Sequence, residues 1–362
     1  MNIFDALNIF YREDVISDFL CNCFNDSDEF LVGFLNEAGI SIEYNSIECV
    51  SVKTRISLGK GIGTPDIIIK LKIKNKYKVV IIENKLGAGE GYHQTLRYGS
   101  NEAYYAIAQK FNLESYDLHT VFLTLDSTVI PRNKKFSSVS YEIFRDNDWH
   151  IKDDNLAKIF KDFKEKLQDF YKPIINPFLS LSENIVLDGI QKSMAWLNVI
   201  DHQFNNQDKQ NFIHEYGRVV GRGREKFLYL LTKDIWRSNF TYEENLEKSF
   251  FIHIDTGVDL INKETTLLNS IEVRYETNPY TPHKRLENLN GYADFLIQKK
   301  TFAENLYKEL DKERISYNKS YRKLLVAKIN LDQTSLDANL QSYYDTVKIL
   351  ETAIDSATHI FR

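Results

Sequence analysis

Three stretches of sequence determine the predicted fold of the N-terminal half: GTPDIII at 63–69, VVIIENK at 79–85 and QTLRY at 94–98. The first two are apolar runs of the length and composition that predict β-strands. The short polar segment at 74–76 predicts a tight hairpin that lays the two strands side by side. The third stretch predicts the beginning of a helix.

Charged side chains stand where these two strands meet. Asp66 opens the first strand, and Glu83 and Lys85 lie near the end of the second. Side chains two apart on a strand share a face, so Glu83 and Lys85 point the same way. The hairpin places Asp66 and Glu83 on neighbouring strands, within reach of one divalent ion. Such an ion would activate a water molecule, which a neighbouring lysine could orient.

An exposed ion pair between Glu83 and Lys85 is the alternative interpretation, and such a pair would contribute little stability. It does not account for the uniformly apolar run at 79–82, which is typical of a strand buried on both faces.

The pattern resembles the PD-(D/E)XK nuclease superfamily. Pro65-Asp66 matches the first half of its motif and Glu83-Asn84-Lys85 the second. Gln94 and Tyr98 resemble the Gln-x-x-x-Tyr element of the RecB-like branch, and their i, i+4 spacing places both on one helix face. The resemblance covers roughly residues 8–145.

The stretch 12–20 is similar to the opening helix of a group of bacterial members. A glutamate near the start of that helix contributes to the metal site, which implies Glu13 as a third ligand beside Asp66 and Glu83. Ile16 stands where that group usually has a histidine. A favourable interaction of Glu13 with the helix N-terminus is the alternative.

From this resemblance we expect an α/β fold with a mixed central sheet flanked by helices, the restriction-endonuclease-like core. It implies a Mg²⁺-dependent nuclease, with Mn²⁺ able to substitute, that hydrolyses DNA phosphodiester bonds. Lys85 would position or activate the water, and Gln94 and Tyr98 would orient the substrate or Lys85. RNA as the substrate, or a non-catalytic binding or assembly module, are the alternatives. The resemblance also implies a bacterial or phage setting, and anti-phage defence is the role we expect.

Composition limits the kind of nucleic-acid surface. The formal net charge is −5, so any such surface must be a local patch. The candidates for phosphate contacts are five basic side chains: Lys70, Lys72, Arg97, Arg222 and Arg224. For Lys70 and Lys72, the alternative is an edge strand protected from aggregation. For the arginines within 217–224, the alternative is a turn between two helices.

No signal peptide and no membrane-spanning run is visible, so we expect a cytoplasmic protein without membrane contact. The three cysteines, Cys21, Cys23 and Cys49, lack zinc-site spacing and are interpreted as reduced packing residues. A homodimer would allow both strands of a duplex to be cut, and a defence-system protein is another candidate partner.

The length predicts two domains, a nuclease domain at 1–172 and a C-terminal α+β domain at 173–362 that binds substrate, a partner or a trigger. In the second we expect helices at 184–204 and 207–219, strands at 250–254, 271–275, 290–300 and 324–331, and a closing helix at 335–360. In the first we expect a helix from 94 to about 111 and strands at 120–125 and 137–144.

Overall fold

The computed structural model describes residues 2–87, 89–205, 211–221, 224–238, 246, 249–261, 270–277, 283–313, 315–320, 323–329 and 335–358. The chain folds into two compact units, residues 1–175 and 176–362.

The first unit is built on a five-stranded mixed sheet whose strands lie in chain order. Its first three strands are antiparallel, and the third, fourth and fifth are parallel. The strands are β1 Ile47–Thr54, β2 Ile67–Ile73, β3 Lys76–Lys85, β4 Asp117–Thr124 and β5 Ser137–Ser140. This confirms the expected α/β class with a mixed central sheet.

Helices cover both faces of this sheet. They are α1 Ile3–Ala6, α2 Glu13–Asp26, α3 Asp28–Glu37, α4 Gln94–Tyr98, α5 Asn101–Phe111, α6 Glu142–Asp146 and α7 Asp154–Ile175. One helix was expected from residue 94 to 111, but Gly99 and Ser100 divide it, and the Ser100 hydroxyl caps α5 by accepting from Ala103 N.

The turn between β2 and β3 confirms the predicted hairpin. Lys74 and Asn75 both have positive φ, 48° and 63°, as a type I′ two-residue turn requires. The register pairs Ile73 with Lys76 and Ile67 with Ile82. Asp66, just before β2, therefore lies opposite Glu83 on β3.

Each face of the sheet has its own apolar core. The face toward α4 and α5 buries Leu58, Ile68, Val79, Ile81, Tyr98, Ile107 and Phe122. Between α2 and α7 the packing is largely aromatic, for example Phe19 against Phe163 with ring centroids 5.3 Å apart. These two layers fix α2 and α4 on opposite faces of β3.

Two further expectations for the first unit are wrong. β2 is not an edge strand, because it is hydrogen-bonded to both β1 and β3, so its lysines do not protect an edge. The strand expected at 137–144 ends at Ser140, and the chain continues as α6.

The second unit contains a six-stranded antiparallel sheet in the order β10-β11-β9-β8-β7-β6. The strands are β6 Ile213–Gly221, β7 Arg224–Thr232, β8 Phe251–Asp259, β9 Ser270–Glu276, β10 Tyr317–Lys319 and β11 Leu325–Lys328. The helices are α8 Pro177–Ser182, α9 Gly189–Asn205, α10 His283–Leu286, α11 Tyr292–Leu310 and α12 Leu336–Thr358. The unit is α+β, as expected.

Three expectations for this unit are wrong. The helix expected at 207–219 is β6 from Ile213 onward, while 207–210 lie outside the described residues. Within 217–224, where a turn between two helices was the alternative, residues 217–221 belong to β6 and Arg224 begins its antiparallel partner β7. The strand expected at 290–300 is the first half of α11.

Among the helices that the structure describes, none combines the length and apolar character that crossing a membrane requires. Cys21, Cys23 and Cys49 are free thiols. Cys21 and Cys23 are buried, as expected of packing residues, but Cys49 is exposed, so the expectation that it packs in the core is wrong.

Candidate active site

The carboxyl groups of Asp66 and Glu83 lie within hydrogen-bonding reach of each other at the end of the β2–β3 hairpin. Asp66 is half-buried and accepts a hydrogen bond from Asn84 N at 2.8 Å, while Glu83 is fully buried. Burial, and then the charge of Asp66, raise the pKa of Glu83 to about 8. Burial also raises the pKa of Asp66. Two acceptors thus face each other where water is largely excluded.

Lys85 lies between two carboxylates. Its Nζ is 2.6 Å from Glu83 Oε1 and 3.1 Å from Glu13 Oε2. Burial acts to lower the pKa of Lys85, but the charges of Glu83 and Glu13 outweigh it and raise the pKa above its usual value. The side chain is therefore a buried ammonium, 7% exposed, held beside the carboxylate pair.

Glu13 is positioned by the start of α2. As the first residue of that helix, it accepts from Leu86 N at 3.2 Å with one oxygen and from Lys85 with the other. Among the described residues, no group of three or more His, Cys, Asp or Glu side chains is arranged to hold a metal ion. All three predicted ligands lie at this edge of the sheet, but Glu13 reaches the other two through Lys85.

The donor set of Asp66 and Glu83 suits a hard divalent cation. Both oxygens of Glu83 are buried without a well-aligned hydrogen bond, since Lys85 Nζ lies close to one oxygen but outside good hydrogen-bond geometry. When Glu83 is ionised, its buried oxygens need a compensating positive charge. Carboxylate oxygens are the ligands that Mg²⁺ prefers. The two residues therefore fit such an ion.

Gln94 and Tyr98 lie on one face of α4, as their spacing predicts. Gln94 Nε2 lies 3.3 Å from the buried Tyr98 hydroxyl, to which it donates. Burial is the main cause that raises the pKa of Tyr98; the hydrogen bond from Gln94 opposes it, and the charges of Glu83 and Asp66 add to it. The Tyr98 hydroxyl also touches the loop at Gly63, where a Cβ would lie 3.3 Å from it.

Asn84 is a functional candidate that sequence reasoning missed. Its side chain donates to Ser17 Oγ at 3.0 Å and accepts from the Tyr141 hydroxyl at 2.5 Å. Asn84 is fully buried, so these bonds tie β3 to α2 on the face opposite Glu83. The alternation of a strand signals this opposite orientation, but the partners come from distant parts of the sequence.

Glu90 is a second residue that was missed. One of its oxygens accepts from both the backbone N–H and the hydroxyl of Thr95, at 2.9 and 2.8 Å. The other accepts from Arg132 N at 2.7 Å. His93, which precedes α4 with a φ of 49°, makes no capping hydrogen bond with its side chain. Glu90 therefore caps the N-terminus of α4 instead. It fixes the helix that carries Gln94 and Tyr98.

The predicted phosphate-binding residues are dispersed. Lys72 is paired with Glu48 at 2.7 Å. Lys70 lies over the ring of Tyr77, 5.8 Å from its centroid. Of the three candidates in the first unit, Arg97 lies next to the candidate site, with Nη1 3.6 Å from a Cβ placed on Gly63. Arg224 begins β7 in the second unit, and Arg222 lies outside the described residues.

Comparison with known families agrees with this geometry. The family description "PD-(D/E)XK nuclease superfamily" matches residues 1–168. The N-terminal unit belongs to this superfamily. No curated protein and no solved structure matches the chain significantly.

The PD-(D/E)XK assignment implies a nuclease, a phosphodiester hydrolase that acts on nucleic acid. The superfamily motif has two halves, one with Asp66 and one with Glu83 and Lys85. The two halves lie side by side in the structure, as their spacing predicts. Nucleases of this superfamily generally use divalent metal ions, typically Mg²⁺, which agrees with the carboxylate pair.

Proposed function

We propose that this protein is a Mg²⁺-dependent nuclease that hydrolyses phosphodiester bonds in DNA, with its active site at the end of the β2–β3 hairpin. The observation that carries the proposal is the contact of the half-buried Asp66 carboxyl group with the fully buried Glu83, with the Lys85 ammonium beside them. No stable fold needs two facing carboxylates at this depth, since their burial costs free energy.

Each residue has a role in this proposal. Asp66 and Glu83 hold the ion, which when bound supplies Lewis-acid stabilisation of the phosphate and a more acidic water. Lys85 orients the attacking water and stabilises the negative charge that develops on the phosphate oxygens. Glu13, the third predicted ligand, holds Lys85 in place through its 3.1 Å contact.

Gln94, Tyr98 and Arg97 would receive the substrate on the side of α4. Tyr98 is held between Gln94 and Gly63, and the charges of Glu83 and Asp66 contribute to raising its pKa. The Arg97 guanidinium has a buried Nε without a hydrogen bond among the described residues, and it lies against the same loop. A phosphate of the DNA backbone would supply the acceptors that this guanidinium lacks.

The test is cleavage of supercoiled plasmid with Mg²⁺ or Mn²⁺. We expect nicking or linearisation that EDTA abolishes and that Asp66→Ala and Lys85→Ala each reduce at least about 100-fold. Lys78→Ala is the matched control, because Lys78 lies on the same strand but pairs with Asp117. Cleavage that survives both substitutions would contradict the assignment of the active site. Cleavage of labelled RNA but not of DNA would contradict DNA as the substrate.

The superfamily resemblance implies restriction, defence or repair, and of these we propose anti-phage defence as the role of this nuclease. Bacteria that express the wild-type chain should plate fewer phage than bacteria that express Lys85→Ala. Equal plating would contradict this role without affecting the enzymatic proposal.

A further inference from the structure

Two tyrosine rings are exposed where the chain leaves and re-enters the candidate site. Tyr11 is 45% exposed and packs edge-on against Phe10, with its Cδ1 3.9 Å from a Cβ placed on Gly87. Tyr92 is 82% exposed and packs edge-on against His93, with ring centroids 4.1 Å apart. An exposed aromatic ring offers a flat apolar face on which another ring can stack.

These rings lie at the two ends of the connection from β3 to α4. Gly87, beside Tyr11, follows Lys85 by two residues, and Tyr92 precedes Gln94 by two residues. Tyr11 also precedes Glu13 by two residues. Both rings are therefore tied through short stretches of backbone to side chains of the active site.

Cationic groups accompany the rings. Arg97 lies on α4, five residues after Tyr92, with its guanidinium against Gly63. Lys60 is exposed on the same glycine-containing loop as Gly63. Aromatic rings for bases and cations for phosphates are the combination that binds single-stranded nucleic acid. In a duplex the base faces are already stacked on one another and are closed to such rings.

We infer that Tyr11 and Tyr92 stack on unpaired bases, so that the substrate is single-stranded or locally unpaired nucleic acid. This inference rests on the proposed nuclease function and names the form of its substrate. Unpaired bases of DNA and of RNA offer the same stacking faces, so the choice between the two sugars is left to the experiment.

The test is binding of short fluorescein-labelled oligonucleotides to the full chain in EDTA, measured by fluorescence anisotropy. We expect the single strand to bind at least tenfold more tightly than the duplex of the same sequence. Stacking is worth about 1–3 kcal/mol per base, so Tyr92→Ala and Tyr11→Ala should each weaken single-strand binding about 5- to 150-fold. Tyr92→Phe and Tyr11→Phe keep the ring and should bind within about twofold of wild type.

Two exposed tyrosines serve as matched controls. Tyr105, 71% exposed on α5, and Tyr44, 44% exposed before β1, lie outside the connection from β3 to α4. Tyr105→Ala and Tyr44→Ala should leave binding unchanged. The same binding measurement on DNA and on RNA oligonucleotides of equal sequence shows which sugar is preferred.

Equal affinity for single strand and duplex, or alanine variants that bind as wild type does, would overturn the inference. Phe variants that lose as much affinity as the Ala variants would also overturn it. Because binding is measured without metal, this failure is separate from a failure of cleavage. Plasmid cleavage with unchanged binding by the alanine variants would leave the nuclease proposal intact and remove the stacking surface.

Discussion

Lys85 Nζ lies 3.1 Å from Glu13 Oε2, which joins the end of the motif strand to the first residue of α2. The two residues are 72 positions apart in sequence. The contact gives Glu13 two distinct candidate roles, as a metal ligand or as the residue that positions Lys85. The structure favours the second, because Lys85 lies between Glu13 and Glu83.

Substitution of Glu13 separates these roles. Glu13→Gln keeps the shape but removes the charge that holds Lys85, so we expect a 10- to 100-fold lower kcat, an effect of about the size seen for residues that support active-site groups. Because that charge helps to raise the pKa of Lys85, the variant's pH–rate profile should also shift to lower pH on its basic side.

The control for this experiment is Asp14→Asn, a neighbouring acidic residue that is exposed and paired with Arg12. It should leave kcat and the pH profile unchanged. Loss of Mg²⁺ affinity in Glu13→Gln with an unshifted pH profile would instead make Glu13 a direct ligand.

Neutralising Asp66 should stabilise the metal-free protein. Burial raises the pKa of Asp66, which means that its ionised form is disfavoured in the folded state. We expect Asp66→Asn to raise the Tm in EDTA by roughly 2–4 °C, the shift that about 1 kcal/mol gives in a domain of this size. Mg²⁺ should raise the Tm of the wild type but not of the variant.

Asp18→Asn is the control, with the opposite expected sign. Asp18 pairs with Arg55 at 2.7 Å, and this hydrogen bond lowers the pKa of Asp18. Its neutralisation should therefore leave the Tm unchanged or lower it. A lower Tm for Asp66→Asn in EDTA would contradict the interpretation of a strained carboxylate pair.

Two glycines of one loop allow backbone strain to be separated from contact with the site. Gly63 and Gly59 have φ values of 113° and 105°, so alanine should cost about 1–3 kcal/mol at either position. A Cβ on Gly63 would lie 3.3 Å from the Tyr98 hydroxyl, whereas one on Gly59 would meet nothing within 4 Å.

We therefore expect Gly63→Ala to lower cleavage at least about tenfold beyond Gly59→Ala, since small displacements of positioning groups cost up to about 100-fold. Equal rates for the two variants, measured well below their Tm, would show that Tyr98 does not need its present position.

The second unit should lose stability as the pH rises from 6.5 to 9. His253 Nδ1 lies 2.6 Å from Asp255 Oδ1, and Nε2 lies 3.4 Å from Glu276 Oε2. Burial acts to lower the pKa of His253, but these two carboxylates outweigh it and raise the pKa to about 9. The charged form of His253 therefore stabilises the folded state. This stabilisation is complete below about pH 6.5, the pKa of histidine in the unfolded chain, and is lost as the pH rises past 9.

Thermal denaturation across this pH range measures the effect. At the acidic end, the free energy of unfolding of the wild type should exceed that of His253→Gln by up to about 3 kcal/mol, and this difference should shrink toward pH 9. His150→Gln, which changes an exposed histidine, should show no such trend. A difference that is constant with pH would mean that His253 is neutral in the folded protein.

The motif hairpin could be predicted from sequence because its signals are local. Two apolar runs and a two-residue turn fix the register, and the register alone places Asp66 opposite Glu83. The link from Glu13 to Lys85 could not be predicted from the residues alone, because it depends on how α2 packs against the sheet. Asn84 was missed for the same reason, since Ser17 and Tyr141 become its neighbours only in the fold.

The errors in the second unit also have physical causes. β6 alternates His214, Tyr216 and Arg218 toward one side, but these residues become a strand through pairing with β7, which a local pattern does not show. The start of α11 is rich in aromatic and branched residues, which favoured a strand. Its buried Phe295, Phe302 and Leu306 follow helical spacing, and burial against the sheet residue Tyr275 selects the helix.

Calorimetric titration of Mg²⁺ into the metal-free wild type and into Asp66→Asn tests the central claim most directly. If Asp66 and Glu83 together hold a divalent cation, the wild type should bind Mg²⁺ saturably and the variant should bind it at least about tenfold more weakly, because one of two anionic ligands is lost. Equal binding by both proteins, or no binding by the wild type, would contradict the account.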